Sequence, residues 1–245
     1  DIAKSPVAQE QMRNDLVRFE KCKRVLFQGV TFQNSPRFHV HPCYSSDIII
    51  DGITVRCPWN AQNGDGIDLS DCQRVLVVNS TVNVGDDGIC IKSGKDADGR
   101  KRGIPCENVI VDGCTVFKGH GGFVVGSEMS GGVKNVMVTN CQFLGTDVGL
   151  RFKSTRGRGG VVENIFIKNM SMFDIQTDVI TFDLYYGGKS AVEVLNDGDE
   201  AKSQKVQKFK VDETTPCFRN IDIKNVTVND KTYKKIDEKG ITLDF

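Results

Sequence analysis

The sequence predicts an all-β fold, a single-stranded parallel β-helix, on three observations. One segment pattern recurs seven times, the apolar residues within each copy alternate, and most copies carry a second short apolar run after a glycine-rich turn. The copies open at Arg24, Asp47, Arg74, Asn108, Asn135, Asn164 and Asn220, and each runs through a central Asn or Gly. Their first apolar residues are Val25, Ile48, Val75, Val109, Val136, Ile165 and Ile221, spaced by 23, 27, 34, 27, 29 and 56 residues. Alternation is the signal of a strand with one buried face. A recurring period of a few tens of residues is the signal of stacked units. No 3.6-residue period is present, and neither is the LxxLxLxxN pattern of leucine-rich repeats. The Asn-Gly turn that hairpin-built sandwiches or propellers favour occurs only at Asn63-Gly64.

Taken in order, the first 20 residues lack the repeat, and residues 9–20 are expected to form one or two helical turns. The 34-residue spacing contains a polar excursion at residues 94–103. The 56-residue spacing contains a long loop at residues 187–215, rich in Gly, Lys, Asp and Gln. Residues 230–245 read as an incomplete last coil, and neither terminus shows the cap that a solenoid needs to cover its open edge. The expectation is one β-helix domain over residues 1–245 that lacks full terminal coils or caps, a fragment or a minimal version of a longer protein.

Composition narrows the function. The 245 residues carry 32 basic and 32 acidic side chains, so no net charge recommends nucleic acid or an anionic membrane. No apolar run approaches a membrane span. The chain opens Asp1-Ile2-Ala3-Lys4 without a signal peptide, which processing or truncation explains as well as a cytoplasmic home. The 9 cysteines never fall within four residues of one another, which argues against a zinc site. Several recur at similar repeat positions (Cys72, Cys106, Cys114, Cys141, Cys217). They read as small buried side chains, with one or two disulfides left open. The sequons at Asn79, Asn169 and Asn225 fall on repeat positions and read as scaffold. His39 and His41, two apart beside Pro42, raise the thought of a metal, but a structural role at a turn is the better reading.

Aligning the second strands on Gly66, Gly88, Gly122 and Gly149 superposes two apolar columns, Ile67-Ile89-Phe123-Leu150 and Leu69-Ile91-Val125-Phe152. The columns between, Asp68-Cys90-Val124-Arg151 and Ser70-Lys92-Gly126-Lys153, are expected to face solvent. Just before the glycines, Asp65 aligns with Asp87, and Asp86 with His120. An alignment chosen on apolar residues thus brings three carboxylates, a histidine and several cations to one surface.

That surface suits glycoside hydrolysis, which needs one carboxyl as general acid and another ionised. Crowding carboxylates at coil spacing raises the pKa of at least one. Arg151 and Lys153 form a two-pronged anion site, and a sugar acid is the natural ligand. Taken singly, each group has a plainer explanation: Asp before Gly is a common turn residue, and Arg151 and Lys153 alone would be ordinary solvated residues. Asp96 and Asp98 resemble calcium ligands, but Lys95, Arg100, Lys101 and Arg102 around them argue for a solvated loop that touches substrate.

The motifs Asn63-Gly64-Asp65, Asp86-Asp87, Gly119-His120-Gly121 and Arg151-Phe152-Lys153 resemble, in order, those of family 28 glycoside hydrolases, the polygalacturonases. Gly64 replaces the usual Thr, and Asn34-Ser35-Pro36 is a further likeness. The resemblance covers roughly residues 20–230. It implies a right-handed β-helix and inverting hydrolysis of α-1,4-galacturonosyl bonds without a cofactor or metal. By that likeness Asp86 is the general acid, Asp65 and Asp87 hold the attacking water, and His120 supports the acid. Asn63 belongs to the substrate site. Arg151 and Lys153 bind a galacturonate carboxylate, joined by Tyr186, with Tyr185 beside it. Residues 126–132 and 94–99 resemble loops of bacterial members, many of which cut from chain ends. A pectic polymer as substrate implies a secreted or periplasmic protein. Two alternatives stay open, a pectate lyase using calcium and a basic residue, and a non-catalytic pectin-binding β-helix. The pectic backbone, endo or exo action and the oligomeric state also stay open.

Overall fold

The computed structural model describes residues 12–187, 211–228 and 241–243. They wind as a right-handed parallel β-helix. One face is a seven-stranded parallel sheet of Val17–Glu20, Val40–Cys43, Ile67–Ser70, Asp87–Lys92, Gly121–Gly126, Val148–Lys153 and Asp178–Asp183. A second face stacks Lys23–Gln28, Ser46–Asp51, Gln73–Val78, Cys106–Asp112 and Val133–Thr139. A third stacks Thr31–Gln33, Thr54–Arg56, Thr81–Asn83, Thr115–Phe117 and Gln142–Leu144. The long strand Val161–Phe173 joins the second and third faces, and Cys217–Val228 pairs along it. Val25, Ile48, Val75, Val109, Val136, Ile165 and Ile221 pair in one unbroken ladder, the register that the repeat spacing implied.

The repeat's polar residues are explained by its corners. The opening residue of each copy has positive φ, from 52° at Asn220 to 59° at Arg24, and so does the central one, from 52° at Asn79 to 64° at Gly29. Gly and Asn tolerate this left-handed region best. The corner asparagines also bond between coils: the Asn225 amide donates to Asn169 at 2.7 Å, and Asn169 to Asn140 at 3.1 Å. Asn79 donates to Asp51 at 3.2 Å. All three sequon asparagines thus belong to scaffold bonds.

The two apolar columns pack inward, every member at most 1% exposed. Each such side chain contributes roughly 1.5–3 kcal/mol by burial. The aligned glycines leave room for the third face's apolar ladder. A Cβ on Gly88 would lie 2.5 Å from Val116, and one on Gly122 2.4 Å from the Phe143 ring.

Several expectations are corrected. Residues 17–20 form a strand rather than a helix, because Val17 and Phe19 alternate with polar residues and the segment pairs with Val40–Cys43. Residues 1–11 lie outside the described residues. The excursion at 94–103 is not a solvated loop. It contains the helix Asp96–Arg102, acidic in its first turn, basic in its last and closed by Gly103 at φ 58°. That order of charge suits the helix dipole, and the helix is anchored by Arg158 on Asp96 and by Arg100 on the Gly157 carbonyl. Most of the 187–215 loop lies outside the described residues, as does most of 230–245. Ile241–Leu243 pairs antiparallel with the Cys217–Val228 strand. No disulfide joins any of the nine cysteines, six of which are buried, so the disulfide alternative fails. The columns expected to face solvent are mostly covered: Asp68, Cys90 and Val124 are 0% exposed and Lys153 5%. Neighbouring side chains and the 126–132 segment close over them, with the Cys90 thiol bonded to the Gly126 carbonyl at 3.3 Å.

Candidate active site

Stacking sets the site. The strand registers Asp87↔Gly121 and Ile89↔Ile67 put Asp65 beside Asp87, and Asp86 beside His120. One carboxylate oxygen from each of Asp65, Asp86 and Asp87 lies within 4.8 Å of the others. Equivalent residues on adjacent coils stand roughly 4.8 Å apart in any such sheet, so the crowding follows from the fold. Asp65 and Asp87 are buried. Asp86 is half-buried and lines a cleft, and its carboxylate accepts the Asn63 N–H at 3.2 Å and the Asp87 N–H at 2.9 Å.

The cations meet the same carboxylates. Lys153 Nζ donates to Asp87 Oδ2 at 2.7 Å, and Arg151 reaches Asp87 Oδ1 and the His120 carbonyl at 3.5 Å each. Tyr186 underlies both, its ring 4.9 Å from Lys153 Nζ and 5.6 Å from the Arg151 guanidinium carbon. Tyr185 is more exposed, and its N–H bonds to Asp183. The structure therefore brings Asp65, Asp86, Asp87, Arg151, Lys153 and Tyr186 together, while Asn63 offers its main-chain N–H to Asp86 and its side-chain oxygen accepts from Arg13 at 2.9 Å. His120 differs in detail: its main-chain N–H bonds the Asp86 carbonyl at 3.0 Å. Its ring lines the cleft without a hydrogen bond among the described residues.

Three contributors escaped the sequence reading: Lys92, Asp68 and Glu128. Lys92 is buried, 3.8 Å from Asp65, 3.5 Å from Asp68 and 3.7 Å from Glu128. Lys92 and Asp68 stood in the aligned columns, and a charge one coil from the site aspartates was the available signal. Glu128 comes from a loop and gave none. The histidines are structural. His39 accepts the Ser35 N–H and donates to the Asp65 carbonyl at 2.8 Å, fixing the backbone of a site aspartate. His41 bridges Asp15 at 2.6 Å and Ser70 at 2.9 Å.

This charge pattern separates the carboxyls. Burial drives Asp65 well above the usual range, and Asp68 beside it adds to the rise while Lys92 opposes it. Burial likewise lifts Asp68, against Lys92, to about 6. Burial would raise Asp87 too, but Lys153, Lys92 and Arg151 overcome it and hold its carboxyl below the usual value. The crowded set thus holds one carboxyl that keeps a proton and one that does not. Asp65, Asp86 and Asp87 are also the one group among the described residues spaced to share a cation. The Lys153 ammonium already on Asp87 occupies part of that role.

A surface groove on a β-helix, lined by carboxyls of split proton affinity beside buried cations, is a site equipped for acid–base chemistry. The chain matches glycosyl hydrolases family 28 over residues 3–238 and belongs to that family. A solved structure of a hyperthermoactive exopolygalacturonase from Thermotoga maritima is similar, with 35% identity and a TM-score of 0.75, covering 88% of this chain and 44% of that one. An exo-poly-alpha-D-galacturonosidase of Dickeya chrysanthemi is 28% identical over 225 residues, 92% of this chain and 35% of the relative. A probable polygalacturonase of Vitis vinifera is 34% identical over 149 residues, 60% of this chain and 30% of the relative. The chain thus spans about a third of the length of these curated relatives. Among the described residues no helix is long and apolar enough to cross a membrane.

Proposed function

We propose that this chain carries the catalytic groove of a polygalacturonase-like hydrolase that cleaves galacturonosyl bonds in pectin. The observation that carries it is the Asp65-Asp86-Asp87 cluster with Lys153 and Arg151 on its flank. Asp86, the cleft-lining carboxyl, gives a proton to the glycosidic oxygen as the C–O bond breaks. Asp87, held ionised, takes a proton from the water that attacks the anomeric carbon. Asp65, with its raised proton affinity, positions that water and relays the proton back. Arg151, Lys153 and Tyr186 hold the galacturonate carboxylate, with Asn63 bracing Asp86.

Inversion of the anomeric centre rests on the family likeness. Inverting pairs stand roughly 6.5–9.5 Å apart and retaining pairs about 5–5.5 Å, so the 4.8 Å cluster gives inversion no support. Anomer-resolved NMR of the first product decides the outcome. One β-helix domain over the chain, and action outside the cytoplasm on a wall polymer, complete the reading.

A reducing-end assay on polygalacturonate in EDTA, with ultraviolet absorbance followed in parallel, tests it. New reducing ends without ultraviolet absorbance are expected. An absorbing unsaturated product would establish a lyase, and binding without turnover a non-catalytic module.

A further inference from the structure

The two sides of the catalytic aspartates differ in charge. On the side from which the chain enters the catalytic sheet, corner residues of successive coils line a groove of about 590 Å³. Among the described residues Lys118 is its one cation, against Asp86, Asp147 and Asp174. Neither Arg151 nor Lys153 lines it. On the other side, the cleft over Lys92 is lined by five Lys and Arg residues, Arg37 and Arg102 among them, against three acids. Among the described residues the side chains of Asp147, Asp174 and Lys118 make no hydrogen bond or ion pair, so their polar groups are unspent. Trp59, the chain's single tryptophan, lies on the groove 75% exposed.

A second galacturonate would bring its carboxylate beside Asp147 and Asp174, with Lys118 the one ammonium among the described residues to offset them, and each like-charge contact at about 4 Å costs about 1 kcal/mol even in water. An uncharged sugar meets no such cost. Its hydroxyls donate to the free carboxylates in charge-assisted bonds, and its apolar face packs on the indole.

We propose that this groove binds an uncharged glycosyl unit, so that the bond offered to Asp86 joins a galacturonate on the cationic side to an uncharged sugar at Trp59. The inference rests on the hydrolase reading above and makes mixed or esterified pectic chains better substrates than free polygalacturonate. The uncharged unit is either a neutral sugar or a methyl-esterified galacturonate.

Trp59 supplies the measurement. Its fluorescence in the inactive Asp86→Asn protein is titrated with three oligosaccharides of equal length: alternating rhamnose-galacturonate, methyl-esterified galacturonate and free galacturonate. The expected result is an emission change with at least one uncharged-bearing ligand at about ten-fold tighter Kd than free galacturonate, about 1.4 kcal/mol. Whether rhamnose or the ester binds tighter identifies the source. In Asp147→Asn/Asp174→Asn/Asp86→Asn, free galacturonate is expected to gain most of that factor. Free galacturonate binding as tightly as both others in the Asp86→Asn protein overturns the inference. Release of reducing ends by the unsubstituted protein is measured alongside. Cleavage of polygalacturonate with a silent Trp59 defeats the inference alone, whereas no binding and no cleavage of any pectic ligand defeats the hydrolase reading with it.

Discussion

Lys153 and Asp87 are 66 residues apart in sequence and joined by a 2.7 Å hydrogen bond within the protein. Both are buried, and the pair reaches across the intervening strand Gly121–Gly126. The bond holds Asp87 ionised in a setting that would otherwise protonate it.

Replacing Lys153 by Met therefore strands a buried carboxylate. Removing one partner of such a pair costs about 3–5 kcal/mol, and urea unfolding at neutral pH should show a loss of that order. The Asp87 carboxyl should rise, moving the acid limb of the kcat/KM profile on polygalacturonate to higher pH. A variant with unchanged stability and an unchanged acid limb would refute the role given to the pair.

Asp86→Asn should leave the fold largely intact, since the side chain is half-buried and its amide oxygen keeps one of the two N–H bonds, from Asn63 or from Asp87, that the two carboxylate oxygens now accept. Turnover should fall by about 10²- to 10⁴-fold, the usual worth of an acid-base group. Reducing-end release measures the loss, and near-native turnover would remove Asp86 from the acid role.

Stability should carry the mark of Asp68. Its folded carboxyl is raised by burial to about 6, so between about pH 4 and 6 the folded state binds more protons than the unfolded one. Stability falls as pH rises through that window and then levels, by about 3 kcal/mol for a shift of this size. Asp71, also raised to about 6 by burial, adds a similar fall. Asp87, held low, works the other way near pH 4, where the unfolded chain takes up its proton first. Asp65, raised further still, adds to the same decline, so Asp68→Asn should remove about 3 kcal/mol of it between pH 4 and 7 in chemical denaturation, and an unaltered decline counts against the buried-acid account.

Asn169→Ala tests the corner ladder. Asn169 has φ 57°, donates to Asn140 and accepts from Asn225. Strain of alanine in the left-handed region and the loss of two partly exposed bonds should together cost about 1–3 kcal/mol. Deglycosylation of secreted material should leave its mass at residue 169 unchanged, because the amide is engaged in the ladder.

Alternation from Val25 to Ile221 and the glycine-aligned second strands sufficed to give the coil register, because a solenoid repeats one packing problem and its solution recurs in the sequence. Asp65, Asp86, Asp87, His120, Arg151 and Lys153 were legible for the same reason, since each occupies a fixed place in its coil. The helix Asp96–Arg102 was not, because its anchors are Arg158 and the Gly157 carbonyl, more than fifty residues away, and no local period announces them. Lys92 was passed over because an outward position on a strand reads as solvent until the loop bearing Glu128 is placed above it.

The sequence by itself determined which residues share a ladder, because side-chain alternation and positive-φ corners are local properties of the chain. The tertiary structure alone decided which of those outward residues water reaches, and with that which carboxyl keeps its proton. Burial depends on what closes over a position, and the strength of every charge at Asp65, Asp68 and Asp87 depends on burial.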